Sequence, residues 1–421
     1  MCLRIATGAL RTSPVKALQV DTHVFPLELR RQGLLLRYYL KMVSDSRHQN
    51  YSLMSTVSTD QTYDDVSETY MQRIAGIPLK FRLKRLLSTM QYFPPGNITK
   101  PEGNIPPWVL TDIDAVILTE NKRAMTDVDV QTVVHELLDT YPGYRIFFTD
   151  GSKTDTSVGC AFTLTNAFFS FKLPGEASIY TAELFAILAA MEYIRDNRVQ
   201  RAVICTDSQS AVIALTSQSR EHPILVDILE LYHMNWRDGI RCTVVWIPGH
   251  SGIAGNVLAD YWAKKAHLKE RTTPVKMSYR EHIPRVKECI SKRFAKEWEE
   301  YRPTQLKHIK PLTDHWKSCH RKNRTEEVIL CRLRLGHTVL THSYIIDHTL
   351  PPICDTCDDD LDVSHLLLHC RRFSTKRQSL RTICRMARVP MCLNTLLGDK
   401  DITIIDALFL FLQQCNLIDK L

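Results

Sequence analysis

Between residues 143 and 268 the spacing of apolar residues changes period in a set order, and that order restricts the fold more than any other feature of the chain. "RIFFT" (145–149), "GCAFTL" (159–164) and "FFSFKL" (168–173) are short apolar and aromatic runs of strand length, the last two joined by the brief "TNA". The stretch 180–197 then carries Leu184, Ile187, Leu188, Met191 and Ile194 at three- and four-residue steps, the period of a helix with one apolar face. "RAVICT" (201–206) reads as a strand, 208–217 and 223–236 as helices, "CTVVWI" (242–247) as a fifth strand and 255–267 as a closing helix. Three consecutive strands form an antiparallel meander. Strands separated by helices lie parallel to the first. The expected fold is therefore α/β: a five-stranded mixed sheet flanked by helices.

At 421 residues the chain is long enough for more than this one domain. Residues 1–95 read as helical, with Pro26 opening a long helix from Leu27 to Val43. The Pro/Gly-rich run "PPGNITKPEGNIPPW" marks 96–140 as a linker before the α/β domain at 141–270. A basic helical spacer (271–345) and a helical tail (346–421) follow. The spacer segment 271–327 holds fifteen Lys and Arg against eight Asp and Glu, with Trp298 and Trp316 interleaved. It fits a surface tracking a nucleic-acid backbone and equally a solvated amphipathic helix. A formal charge of +8 is compatible with a polyanionic partner without identifying one. The N-terminal residues have no signal-peptide pattern. The longest apolar run, 402–412, contains Asp406 and is too short to span a bilayer, so no membrane association is expected. Thirteen cysteines, an odd number in a long chain, read as reduced thiols of an intracellular, unsecreted protein.

Acidic residues sit where the α/β pattern would concentrate chemistry. Asp150 and Asp207 each follow a Thr at the C-terminal end of an expected strand, in "TDGSK" and "TDSQSA". If those strands are parallel neighbours, both carboxylates enter the crevice where open α/β sheets bind ligands. Glu183 falls in the expected first turn of the helix starting near residue 180, and Asp260 in the last helix, after "WIPGHSGIAGN". Singly, each has an ordinary explanation: a turn residue, a helix cap, a dipole-favoured acid, a solvated charge. Gathered without basic partners they would repel one another, and a divalent cation, Mg²⁺ or Mn²⁺, resolves that repulsion.

The segments "FTDGSK", "YTAELFAILAA", "TDSQSA" and "WIPGHSGIAGNVLAD" resemble, in order, the motifs of type 1 ribonuclease H, in particular the ribonuclease H domain of non-LTR retrotransposon polyproteins. The resemblance covers roughly 143–268. It implies that Asp150, Glu183, Asp207 and Asp260 hold two Mg²⁺ (or Mn²⁺) ions. It also implies that His250, in the Gly-flanked loop "PGHSG", handles protons or product release. The expected activity is endonucleolytic hydrolysis of the RNA strand of an RNA–DNA hybrid by a two-metal mechanism. Gly151, Ser152, Ser208 and Gln209 are candidates for contacting the 2′-hydroxyls that distinguish RNA from DNA. Val257 departs from relatives that carry an acid after the Asn, at a position that is not a metal ligand. The alternative is a nucleic-acid-binding remnant that keeps the fold without catalysis.

A second constellation, "CDTCDDDLDVSHLLLHC", spaces Cys354, Cys357, His365 and Cys370 as a closed, structural Zn²⁺ site, with His369 a less well-spaced rival. It resembles the Cys-Cys-His-Cys element that follows ribonuclease H in many non-LTR retrotransposon proteins. The N-terminal region is similar to the segment after the reverse-transcriptase palm of such polyproteins. No Tyr/Phe-x-Asp-Asp motif occurs, so DNA polymerisation is not expected.

Overall fold

The computed structural model describes residues 2–57, 78–92, 98–118, 126–316 and 320–421. The remainder of the expected N-terminal helical region, of the linker and of the basic spacer lies outside the described residues. The chain forms two compact units, one made of 34–287 and the other of 1–33 with 288–421.

In the first unit, β1 (Asp114–Ile117) is followed by α1 (Asp127–Asp139) and by a meander of β2 (Arg145–Lys153), β3 (Val158–Leu164) and β4 (Ala167–Leu173). Then come α2 (Ile179–Asp196), β5 (Arg201–Thr206), α3 (Gln209–Thr216), α4 (Pro223–Arg237), β6 (Arg241–Trp246) and α5 (Ala254–Ala266). The sheet order is β1-β6-β5-β2-β3-β4. β3 runs antiparallel to β2 and β4, whereas β5 is parallel to β2 and to β6. The mixed sheet flanked by helices is as the spacing predicts, but it has six strands, not five.

The additional strand lies in the stretch expected to be a linker, as does α1. "DAVI" is four residues long and only half-buried, too short to show alternation. What fixes it is tertiary: it runs parallel to β6, the Asp114 carboxylate accepts a hydrogen bond from the Thr243 hydroxyl at 2.6 Å, and its N–H donates to the Tyr232 hydroxyl at 2.9 Å. Thr126 and Asp129 close a capping box that starts α1.

Strand alternation divides the core between the two faces of the sheet. On β5, Ala202 and Ile204 join the larger cluster with Phe147 and with Leu184, Ile187 and Met191 of α2. Val203 and Cys205 face the other way and pack with Val130 and Val134 of α1, Val245, Ile247 and Ile253. Each valine so buried contributes about 1.5–3 kcal/mol at most, and this second face is covered by α1, which the apolar spacing does not reveal.

The unit also continues past residue 270. The Thr99 N–H donates to the Met277 carbonyl at 2.8 Å, and Glu281 closes a network over the start of α2. Its carboxylate accepts from the Ser178 N–H at 2.9 Å, from the Thr181 hydroxyl, and from His222 Nε2 at 3.0 Å. His222 Nδ1 in turn accepts from the Ile224 N–H at 3.2 Å, which leaves the Nε2 proton for Glu281. Burial pushes the Glu281 carboxyl up, but the hydrogen bonds from His222 and Thr181 and the field of His222 outweigh it and hold the pKa at about 2.

The second unit is helical. Trp298 and Trp316 are buried in it, at 0% and 5% exposure, so neither is free to stack on a nucleobase. Trp298 donates to the Lys310 carbonyl at 2.9 Å, and the Trp316 ring has Lys310 at 4.2 Å and Arg334 at 4.0 Å from its centroid. The interleaved tryptophans of the basic spacer are therefore core residues. Among the described residues no helix is long and apolar enough to cross a membrane.

Candidate active site

Asp150 lies within β2, opposite Ala161 of β3, and Asp207 directly follows β5, parallel to β2. Asp207 thus leaves the carboxyl end of β5, whereas Asp150, expected at a strand's end, lies just past the last β2–β5 pair, Thr149 and Thr206, in the part of β2 that continues beside β3. Glu183 comes from α2. That helix starts at Ile179 behind its Ser178 cap, so Glu183 lies beyond the first turn, where the macrodipole is weaker. A helix-dipole role therefore does not account for it. The residue capping α3 is Ser208, not Asp207, so capping does not account for Asp207 either. One oxygen each of Asp150, Glu183 and Asp207 lie within 4.8 Å of one another.

Asp260 stands slightly apart. It is half-exposed on α5 and receives a hydrogen bond from Lys264, one turn on, at 2.7 Å. Its negative charge nevertheless reaches the Asp150 carboxyl and helps to raise it. The structure thus joins three of the four expected acids in one cluster and leaves the fourth outside it, paired with Lys264.

Burial pushes the Asp150 carboxyl up to a pKa of about 8, with the negative charges of Asp207 and Asp260 adding to it. Burial, then Asp150 and Asp207, drives Glu183 well above the carboxylate range. The Gly151 N–H opposes both shifts. Glu183 Oε2 is buried with no hydrogen-bond partner. A buried oxygen left without a donor is costly unless something else satisfies it. Three hard oxygen donors, one orphaned, fit a divalent cation.

Asp207 is held by neighbours that the spacing of acids does not point to. Its carboxylate lies 3.4 Å from the Asn256 amide nitrogen, and its carbonyl accepts from Trp246 Nε1 at 3.1 Å. A Cβ on Gly249 would come 2.6 Å from Asp207 Oδ2, so the loop's close approach to this acid requires glycine. The signal in the sequence was the glycine itself, one residue before His250. His250 is exposed and left-handed, at φ 56°.

The four weaker candidates divide. Gln209 is exposed and Ser208 half-buried beside Asp207. The Ser152 hydroxyl is 3.0 Å from His267 Nε2, and a Cβ on Gly151 would meet Glu183 Oε1 at 3.0 Å. Ser152 thus already has an internal partner, and at Gly151 β2 lies close against α2.

In the helical unit, Cys354, Cys357, His365 and Cys370 place one ligand atom each within 4.8 Å of one another. The Cys354–Cys370 and Cys357–Cys370 sulfur separations, 3.7 and 4.0 Å, are far from a disulfide's ~2.05 Å. His365 Nε2 is buried without a partner, while its Nδ1 lies 4.0 Å from the Asp359 carboxylate. A buried ring nitrogen without a partner, on a histidine grouped with three cysteine sulfurs, fits a metal ligand. Burial opposes ionisation of Cys354, yet hydrogen bonds from the Thr356 N–H, His365 and the Cys357 N–H bring its pKa down to about 7. Burial and the adjacent thiols raise Cys370 to about 11. His369, the rival, is exposed and outside the cluster. The Arg377 guanidinium, buried beneath, donates to the carbonyls of Leu366, Leu367 and Cys370.

Residues 143–267 match the family model described as RNase H. The Pol polyproteins of equine infectious anemia virus isolates 1369 and CL22 are each 33% identical over 124 residues, 28% of this chain and 10% of each polyprotein. The chain thus spans about a tenth of the length of the curated relatives it matches. RNase H1 of the halophilic archaeon Halobacterium salinarum NRC-1 aligns at 21% identity and a TM-score of 0.25, over 30% of this chain and 97% of that one. By the family match, residues 143–267 constitute an RNase H domain within a longer chain.

Proposed function

We propose that the chain is a metal-dependent endonuclease of the type 1 ribonuclease H class that hydrolyses the RNA strand of RNA–DNA hybrids and derives from a retrotransposon. The observation that carries this reading is the convergence of Asp150, Glu183 and Asp207 from three separate elements, with a buried oxygen of Glu183 unpartnered.

Asp150, Glu183 and Asp207 would hold the ions, with Asp260 at the edge. When bound, two Mg²⁺ or Mn²⁺ ions supply the Lewis acidity that activates water and stabilises the leaving 3′-oxygen. The protein's own part is positional. β2 and β5 fix two carboxylates just beyond the last residue pair of their parallel ladder, Thr149 and Thr206. Glu281 anchors the start of α2 and so the helix bearing Glu183. Asn256 and Trp246 orient Asp207. His250, exposed and one residue after the glycine that lies against Asp207, would accept or deliver a proton. Ser208 and Gln209, accessible beside Asp207, are the better placed of the four candidates for a 2′-hydroxyl. In the helical unit, Cys354, Cys357, His365 and Cys370 hold a structural Zn²⁺.

The test is cleavage of an RNA–DNA hybrid labelled on its RNA strand, with Mg²⁺ present. Cleavage that is lost in Asp207→Asn supports the reading. Hybrid binding with no turnover in the parent protein selects the inactive remnant instead, and equal cleavage by the variant refutes the assignment of the site.

A further inference from the structure

The loop carrying His250 is gripped from two sides. On one side Gly249 lies against the Asp207 carboxylate. On the other, Gln131 of α1 donates from Nε2 to the Ser251 carbonyl at 2.9 Å. The same Nε2 lies 2.6 Å from where a Cβ on Gly252 would project, so the carboxamide occupies the space that the glycine leaves. Gly252 has φ 71° and His250 φ 56°. A left-handed non-glycine residue such as His250 persists where its surroundings hold it; the Ser251 hydroxyl donates to the Gly249 carbonyl at 3.4 Å within the loop, and Gln131 adds a tie from outside it. Ser251, between His250 and Gly252, is 2% exposed, and Ile253 just beyond packs in the cluster containing Val130 and Val134 of α1. The grip thus has a polar contact and an apolar base, both from one helix.

α1 lies wholly before residue 143, outside the segment that matches the RNase H family model. We infer that Gln131 is a positioning residue for the nuclease reaction, and that α1 serves as a clasp setting the distance of His250 from the acid cluster. This rests on the proposed function of the site. The hydrogen bond of the carboxamide goes to the loop backbone and not to an acid of the cluster. It acts through the Ser251 carbonyl, one peptide from His250. Losing a single hydrogen bond of this kind widens the range of positions the imidazole samples, and turnover falls while hybrid affinity is kept.

The experiment is a double-mutant cycle on the full chain with Gln131→Ala and His250→Ala, read as kcat and KM for hybrid cleavage. Gln131→Ala should lower kcat about five- to tenfold, the scale of one hydrogen bond, with KM within about twofold. In the His250→Ala background the same change should have no further effect on kcat. An equal loss in both backgrounds means that Gln131 only supports the fold, and overturns the inference. A second readout is independent of cleavage. With histidines isotopically labelled, the His250 ring resonance should broaden or shift in Gln131→Ala, while His222, in the Glu281 network, stays put. An unchanged His250 resonance refutes the clasp even if the parent protein proves inactive. A parent that does not cleave, with the resonance shift present, refutes the enzymatic reading and leaves the clasp standing.

Discussion

Asp150→Asn should stabilise the metal-free protein, and by an amount that grows with pH. Asp150 has a pKa of about 8 in the fold, chiefly from burial and then from Asp207 and Asp260, against an ordinary aspartate value of 3.8. A carboxyl with a raised native pKa binds its proton more tightly when folded. Its penalty is therefore absent below the unfolded pKa, grows as pH rises above ~4 and levels off beyond about 8. At ~1.4 kcal/mol for each pH unit between those two values, the ceiling is about 6 kcal/mol. Relaxation and an effective dielectric near ~20 reduce it, and about 2–4 kcal/mol is the expectation. In a unit of this size that corresponds to roughly 4–16 °C in Tm. The assay is thermal unfolding with chelator at pH 5 and pH 8.5, parent and variant side by side. The variant should melt slightly above the parent at pH 5, where about a third of the penalty acts, and well above it at pH 8.5. Saturating Mg²⁺ should then raise the parent's Tm at pH 8.5 more than the variant's, since the variant lacks one ligand. Equal Tm values at pH 8.5, or a larger gap at pH 5, would refute the electrostatic account of the cluster.

Gly249→Ala should cut hybrid cleavage at least tenfold with little change in Tm, because its methyl would enter the space of Asp207 Oδ2; steady-state kinetics beside a melting curve check it. Glu281→Ala should destabilise the fold at pH 7 by about 1–3 kcal/mol, through the buried donors it leaves unpaired. Because the Glu281 pKa is lowered to about 2, the parent's advantage is complete above ~4.5 and fades as pH falls through 2, which urea unfolding at pH 7 and pH 3 would follow. Cys370→Ser, or removal of metal with a strong chelator, should lower the Tm of the helical unit and release about one Zn²⁺ per chain. Metal analysis with far-UV circular dichroism reads both, and a chelator-treated protein with an unchanged melt would count against a structural metal.

The parts of the fold legible in the sequence were those with a local cause. The strands of the meander, α2 and β5 have strong period-two or three-and-four signals, and the structure places them within a few residues of where the spacing put them. β1 was not legible because Asp114–Ile117 is made a strand by β6, Tyr232 and Thr243, all more than a hundred residues away. α1 was hidden behind a Pro/Gly-rich approach that reads as a linker. In the site, Asp150, Glu183 and Asp207 were legible because their segments resemble, in order, the motifs of one known family; singly, each had an ordinary explanation. Asn256 and Gln131 were not, since an amide gains meaning only from the oxygen it faces. Trp298 and Trp316 left two readings open for a related reason: an aromatic between cations has the same spelling on a nucleic-acid surface and in a helical spacer, and burial decides against stacking.

β1 and α1 also bear on where this molecule can be cut. A fragment trimmed to the stretch that matches the family would expose the free edge of β6, with unpaired peptide groups along Thr243–Trp246. It would also bare Val203, Cys205, Val245 and Ile247 to water. Such a piece presents a naked strand border beside a sticky apolar floor, which invites copies to pair edge to edge. An expression fragment that starts ahead of Asp114 and runs to Lys287 keeps both covered, and is the shorter form to choose for crystals.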